Sequence, residues 1–144
     1  MEKETRLRVA LAVIQQGSIL LVPHVGTDVG PVQWNLPGGK VEFCECMREA
    51  VIREFFEETG LRAEVIDLLD ASEVIHPDRP YHSVTITFLG RVVAGEIRPE
   101  INHAYGEKMP KWFKANDLTG MQYHPAKTIE KALAFVEEIE KQSK

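Results

Sequence analysis

Residues 53–61, Arg-Glu-Phe-Phe-Glu-Glu-Thr-Gly-Leu, constrain this chain more than any other stretch. Glu54, Glu57 and Glu58 stand at spacings i, i+3 and i+4, which on a helix share one face. Like charges so placed destabilise an isolated helix by roughly 0.2–0.5 kcal/mol per pair. Charge runs on helices are usually solvated outer faces, but two features argue against that here. Ile52, Phe55 and Phe56 fall on the opposite side of the helical wheel, so the helix is expected to be gripped by its back. The lead-in, NLPGGKVEFCE over residues 35–45, carries Gly38 and Gly39, which let the backbone turn tightly and approach a ligand closely.

Glu42 and Glu45 bring the total to five carboxylates around one loop–helix junction. Such a cluster repels itself unless cations sit within it. Oxygen-only donors suit hard ions, Mg²⁺ above all with Mn²⁺ as a substitute, and Mg²⁺ shares its shell with substrate phosphates. Arg53 has Glu49 and Glu57 four residues to either side as partners along the helix.

The surrounding chain reads as a mixed fold. Residues 6–14 (RLRVALAVI) and 19–22 (ILLV) are strands joined by the turn QQGS, followed by a Gly/Pro-rich loop from Pro23 to Gly39. A helix is predicted over 45–59, ending at Gly60. Strands follow at 63–75 and 82–95 around the loop 76–81, then a short strand at 111–115. Pro125 opens a last helix whose Ile129, Ala132, Leu133, Val136 and Ile139 keep helical spacing. The order β-β-α-β-β-β-α predicts an α/β (α+β) fold with a mixed β-sheet sandwiched between helices. With 144 residues, no repeat and no linker, a single domain over 1–144 is expected.

Charge and composition exclude several classes. A net charge of −5 argues against polymeric nucleic acid as a partner, since that affinity rests on neutralising phosphates. A small polyphosphate bridged by a cation remains compatible with it. No run of about 18 apolar residues exists, so no membrane partner is expected. The charged start, Met-Glu-Lys-Glu-Thr-Arg, lacks the apolar stretch of a secretory signal, and Cys44 and Cys46 read as free thiols. A cytoplasmic location follows, and the composition leaves a homodimer open.

Gly39, five residues, Glu45, seven residues, then REFFEETGL over 53–61 resembles the Nudix box, G-x5-E-x7-R-E-U-x-E-E-x-G-U, where U is a bulky apolar residue. Every fixed position is filled, with Phe55 and Leu61 in the apolar places. The resemblance implies hydrolysis of a nucleoside diphosphate linked to some other group. By it, Glu57 and Glu58 are the principal metal ligands, Glu54 is a ligand, the general base, or both, and the Gly38 carbonyl is a further ligand. Arg53 is similar to the family arginine that holds the helix glutamates, and Glu45 either reaches a metal or braces the loop. Relatives often carry glycine before the first box glutamate; Cys44 stands there in this chain, which puts the loop's shape in question.

In this reading the metals neutralise pyrophosphate oxygens and lower the pKa of a water, and a carboxylate takes its proton. Glu54 is the first choice for that base, and Glu107, in YGEKMPKWF, is its rival from outside the box and a further candidate metal ligand. An alkaline optimum is implied. Trp34 (by stacking), Arg79 (by gripping a phosphate), Tyr81 and His82 are candidate substrate contacts, each weighed against a purely packing or solvated role. His24, His76, His103 and His124 are scattered and are assigned to no metal. Pro77, sixteen residues beyond Leu61, resembles the placement in ADP-ribose pyrophosphatases, whereas YHSVTI (81–86) is similar to a segment of nucleoside triphosphate hydrolases. The balance leans toward a nucleoside diphosphate sugar such as ADP-ribose, with (d)NTPs next and a non-catalytic nucleotide-sensing module last.

Overall fold

The computed structural model describes residues 4–24, 32–76, 78, 80–102 and 106–142. Strand β1 (Thr5–Gln15) turns through Gln16 and Gly17 into β2 (Ser18–His24). Both turn residues have positive φ, 53° and 78°, the backbone that matches the twist of a two-residue hairpin and that glycine adopts freely. The loop expected from Pro23 to Gly39 contains two short strands, β3 (Gln33–Asn35) and β4 (Gly38–Lys40). Helix α1 (Met47–Thr59) starts two residues later than expected, because Glu45 and Cys46 remain in the loop. Gly60 closes it in the left-handed conformation with its N–H on the Phe56 carbonyl.

The long hairpin β5 (Leu61–His76) and β6 (Tyr81–Gly95) follows, then a separate small hairpin, β7 (Glu100–Asn102) with β8 (Gly106–Lys108). After β9 (Lys111–Lys114) come a short 3-10 turn (Ala115–Leu118), β10 (Tyr123–His124) and helix α2 (Ala126–Gln142). The sheet order is β10-β3-β2-β1-β6-β5, with β4 added to β1 and β9 to β2. It is mixed: β1 runs parallel to β6 and antiparallel to β2 and β4.

Alternation along β1 builds both layers. Val9, Leu11 and Val13 pack with Val51 and Phe55 of α1, while Ala10 and Ala12 pack with Ile129 and Ala132 of α2. The sheet is therefore sandwiched between the two helices, as its element order predicts. On α1 the stripe in the core is Ala50, Val51, Phe55 and Thr59; Ile52 and Phe56 flank it half-buried, a rotation of the expected face. On α2 the apolar stripe fades outward, with Ile129 and Ala132 buried and Ile139 exposed.

One departure from regular pairing positions the site. β1 pairs with β2 only at Ile14 and Gln15, and its earlier residues Arg8–Ala10 pair with β4 instead. The sheet splays there, and Gly38 and Gly39 lie in the gap beside α1. A Cβ on Gly38 would collide with the Val9 carbonyl, so only glycine lets β4 lie this close.

Candidate active site

One arginine gathers three of the five acids. Arg53 forks onto Glu45, with Nε 2.7 Å from Oε2 and Nη2 2.9 Å from Oε1. Its Nη1 also lies 3.0 Å from Glu54 Oε1 and 3.3 Å from Glu57 Oε2, and Nη2 reaches the Lys40 carbonyl at 3.3 Å. Glu57 is the i+4 partner expected, but Glu45 takes the place expected for Glu49. Glu45 in turn accepts the Glu42 N–H at 3.0 Å, so it braces the loop onto the helix. Hydrogen bonds from Arg53 and from the Glu42 backbone hold the Glu45 carboxyl down to about 2, and the same contacts push the guanidinium further up.

Glu58 lies beside the core stripe of α1 and is half-buried. It accepts the Gly38 N–H at 2.8 Å. Burial pushes its carboxyl up to about 8, partly countered by that hydrogen bond and reinforced by the negative charges of Glu100 and Glu54. Glu54 is also raised, by burial first, against the pull of Arg53. Its carboxyl lies against Gly39, where any Cβ would overlap it. Glu57 is the most open of the three helix acids, its side chain 54% exposed.

The Cys44 question resolves in the backbone. Cys44 has φ 68°, the left-handed conformation that glycine adopts without strain, so the loop keeps the glycine-type turn with a side chain in place. Both cysteines are exposed free thiols.

Among the described residues no three His, Cys, Asp or Glu side chains already close around one point. Arg53 draws Glu45, Glu54 and Glu57 toward its guanidinium, and Glu58 turns to the Gly38 N–H. The donor set still fits a hard divalent cation: it is all oxygen, one carboxyl is largely withdrawn from water, and Gly39 lets the Glu54 carboxyl lie directly against the backbone.

Next to this corner lies a cleft of about 730 Å³, lined by Arg8, Gly38, Asn35, Tyr81, Ser83 and Thr85 among others. A smaller pocket of about 80 Å³ joins Gly38 and Glu58 to Arg8, Glu100 and Lys108. Tyr81 thus lines the cleft. His82, the next residue, faces away to Glu73 at 3.2 Å and Thr5 at 3.4 Å. Trp34 packs edge-on against Phe113, centroids 4.9 Å apart, under Lys111; it anchors the wall while its neighbours Gln33 and Asn35 line the cleft. Arg79, Pro77 and His103 lie outside the described residues, and Glu107 is placed on β8 in register with Ile101.

Sequence reading missed several residues. His24, His76 and His124, far apart in sequence, all line the cleft. Glu100 and Lys108, paired at 4.0 Å across the small hairpin, face Glu58. Arg98 donates to the Phe56 and Glu57 carbonyls and so caps α1. Arg8 had a signal: Arg6, Arg8, Ala10 and Ala12 share one face of the strand, and the charges mark where that face leaves the core.

Comparison with known proteins agrees with this geometry. The sequence model of the NUDIX domain matches residues 4–134. The chain is 35% identical over 94 residues to an ADP-ribose pyrophosphatase of Methanocaldococcus jannaschii, covering 65% of this chain but only 53% of that relative. It is 31% identical over 111 residues to phosphatase NudJ of Escherichia coli, covering 76% of this chain and 69% of that one. A crystal structure of a MutT Nudix hydrolase from Burkholderia pseudomallei superposes with a TM-score of 0.75 at 29% identity, over 89% of this chain and 98% of that one. With the box intact, the sheet and helices in place and the domain matched over nearly its whole length, this chain belongs to the Nudix hydrolase family.

Proposed function

We propose that this chain hydrolyses the pyrophosphate bond of a nucleoside diphosphate linked to another group, with ADP-ribose or a similar nucleoside diphosphate sugar as the preferred substrate. The observation that carries the reading is the placement of Glu54 against Gly39, one oxygen tied to Arg53, near the half-buried Glu58, whose small pocket shares Arg8, Asn35 and Gly38 with the larger cleft. Gly38, Glu54, Glu57 and Glu58 would hold a divalent cation, Mg²⁺ or in its place Mn²⁺, which would supply positive charge to the pyrophosphate oxygens and acidity to a water. Arg53 holds Glu54 Oε1, which leaves Oε2 to take the proton of the attacking water. Burial raises the Glu54 carboxyl and so strengthens it as a base. Glu45 keeps Arg53 in place and acts as a brace. Glu107 is the alternative base, from β8.

The ADP-ribose preference draws on the resemblance around Pro77 and on the name of the Methanocaldococcus relative. A second reading, hydrolysis of (d)NTPs, draws on residues 81–86 and on the MutT structure. Both are small nucleotides, and a cytoplasmic place suits them and the free thiols. Chromatography of products in Mg²⁺ separates the two: ADP-ribose yields AMP and ribose 5-phosphate, a triphosphate yields a monophosphate and pyrophosphate. The expected result is the higher kcat/KM for ADP-ribose, with all turnover abolished by excess EDTA. A tenfold preference for any (d)NTP overturns the order, and turnover in EDTA overturns the chemistry.

A further inference from the structure

The cleft is the part of a sheet face that α2 leaves uncovered. Arg8, Ala10 and Ala12 of β1 share that face with Thr85, Thr87 and Leu89 of β6 in parallel register. Under α2 the face is apolar, where Ala10, Ala12 and Leu89 pack with Ile129 and Ala132. Beyond the helix it turns polar, and Arg8, Ser83 and Thr85 line the cleft. The protein carries 22 acidic against 17 basic residues, yet no Asp or Glu is among the described residues lining the cleft. The acids are gathered instead at the corner that holds Glu58 and Glu100.

Arg8 stands where the two meet, lining both the cleft and the smaller pocket. It is half-buried, yet its side chain makes no hydrogen bond, ion pair or ring contact among the described residues. Its charge is felt at Glu54 and Glu58 without an ion pair to either. A guanidinium carries five N–H donors in a fork shaped for phosphate and is rarely drawn from solvent without partners. Asn35 lines the same two pockets, and its buried side-chain oxygen also lacks a partner among the described residues. A ligand that is anionic at one end and carries hydroxyl or amino donors beyond satisfies both groups.

We propose that Arg8 is the phosphate anchor of the substrate site, gripping the phosphate that faces the cleft while the cleft holds the ribosyl group esterified to it. This rests on the pyrophosphate chemistry above and adds a residue from outside the signature. Arg8 is a positioning residue for the bound phosphate, so its loss raises KM more than it lowers kcat.

The test uses monophosphates in Mg²⁺ buffer, which contain no anhydride to be cleaved. Calorimetry compares AMP with adenosine and ribose 5-phosphate with ribose, on wild type, Arg8→Ala and Arg8→Lys. Wild type is expected to bind at least one phosphorylated member tenfold or more above its unphosphorylated counterpart; which pair does so tells whether the nucleoside or the sugar side faces Arg8. Arg8→Ala is expected to erase that advantage and Arg8→Lys to restore part of it. The Arg8 side chain has no hydrogen bond, ion pair or ring contact to lose among the described residues, so the melting temperature of Arg8→Ala stays near the wild-type value. With the turned-over substrate, KM should rise tenfold or more while kcat stays within about threefold. The anchor is overturned if phosphate brings no advantage in wild type, or if the advantage survives in Arg8→Ala. Failure of hydrolysis with binding intact refutes the proposed function alone.

Discussion

The carboxyl of Glu58, on α1, accepts the N–H of Gly38, on β4, at 2.8 Å. That hydrogen bond ties the helix that carries the acids to the glycine strand they work against. It also places a carboxyl beside the core, where burial pushes it up to about 8.

The first prediction concerns stability against pH in the metal-free protein. Above about 4.5 the unfolded chain releases the Glu58 proton, while the folded state keeps it until about 8. The contribution is therefore fully present below 4.5 and is lost as pH rises through 8; Glu54, also raised, acts in the same direction. Melting temperature in EDTA should fall from pH 5 to pH 9, and saturating Mg²⁺ should remove most of the slope because the ion binds the ionised form. Glu58→Gln should flatten the EDTA profile. A flat wild-type profile in EDTA contradicts the buried protonated carboxyl.

Glu54→Gln, Glu57→Gln and Glu58→Gln should each lower kcat by orders of magnitude with the circular dichroism spectrum unchanged. Above about pH 8 the metal-free Glu58→Gln variant should melt no lower than wild type, since it removes an ionised carboxyl from beside the core and from the acidic helix face. Near-normal turnover in Glu57→Gln would remove that residue from the ligand set.

Arg53→Ala should lose both rate and stability. It frees Glu45, Glu54 and Glu57 together and unties the loop at Lys40. The side chain is 31% exposed, which limits the stability loss to about 1–2 kcal/mol. Arg53→Lys should recover little activity, because an ammonium cannot fork onto Glu45. Urea titration and steady-state kinetics on the pair check this, and full activity in Arg53→Lys contradicts it.

Cys44→Gly should stabilise the fold. A left-handed residue other than glycine is strained by about 1 kcal/mol, so relief raises the melting temperature by roughly 2–4 °C. Cys44→Ala keeps the Cβ and should show no gain, which separates backbone strain from loss of the thiol. Equal shifts in both variants would refute the strain.

Gly39→Ala should abolish turnover while preserving most of the sheet, since the new Cβ lands on the Glu54 carboxyl. A structure or near-ultraviolet spectrum of the variant shows whether Glu54 has swung away; retained activity means the close approach is dispensable.

What the sequence determined by itself is what local spacing carries. The shared face of Glu54, Glu57 and Glu58, the Gly60 stop, the strand alternation of 6–14 and the helix after Pro125 all repeat within a few residues, where backbone geometry alone decides which side chains meet. The tertiary structure decided everything that depends on strands distant in the chain. It rotated the buried face of α1 toward Val51 and Thr59, because β1 and β5 supply the surface it packs on. Of the roles that spacing left open, ligand or brace for Glu45 and stacking or anchoring for Trp34, it paired Glu45 with Arg53 and packed Trp34 on Phe113. It brought Arg8, Glu100 and Lys108 to Glu58 from strands up to 100 positions apart. Charge and burial at a site are sums over neighbours in space, and a sequence orders its residues along one dimension, so the raised carboxyl of Glu58, and an Arg8 guanidinium with no partner among the described residues, exist only once the sheet has splayed around β4.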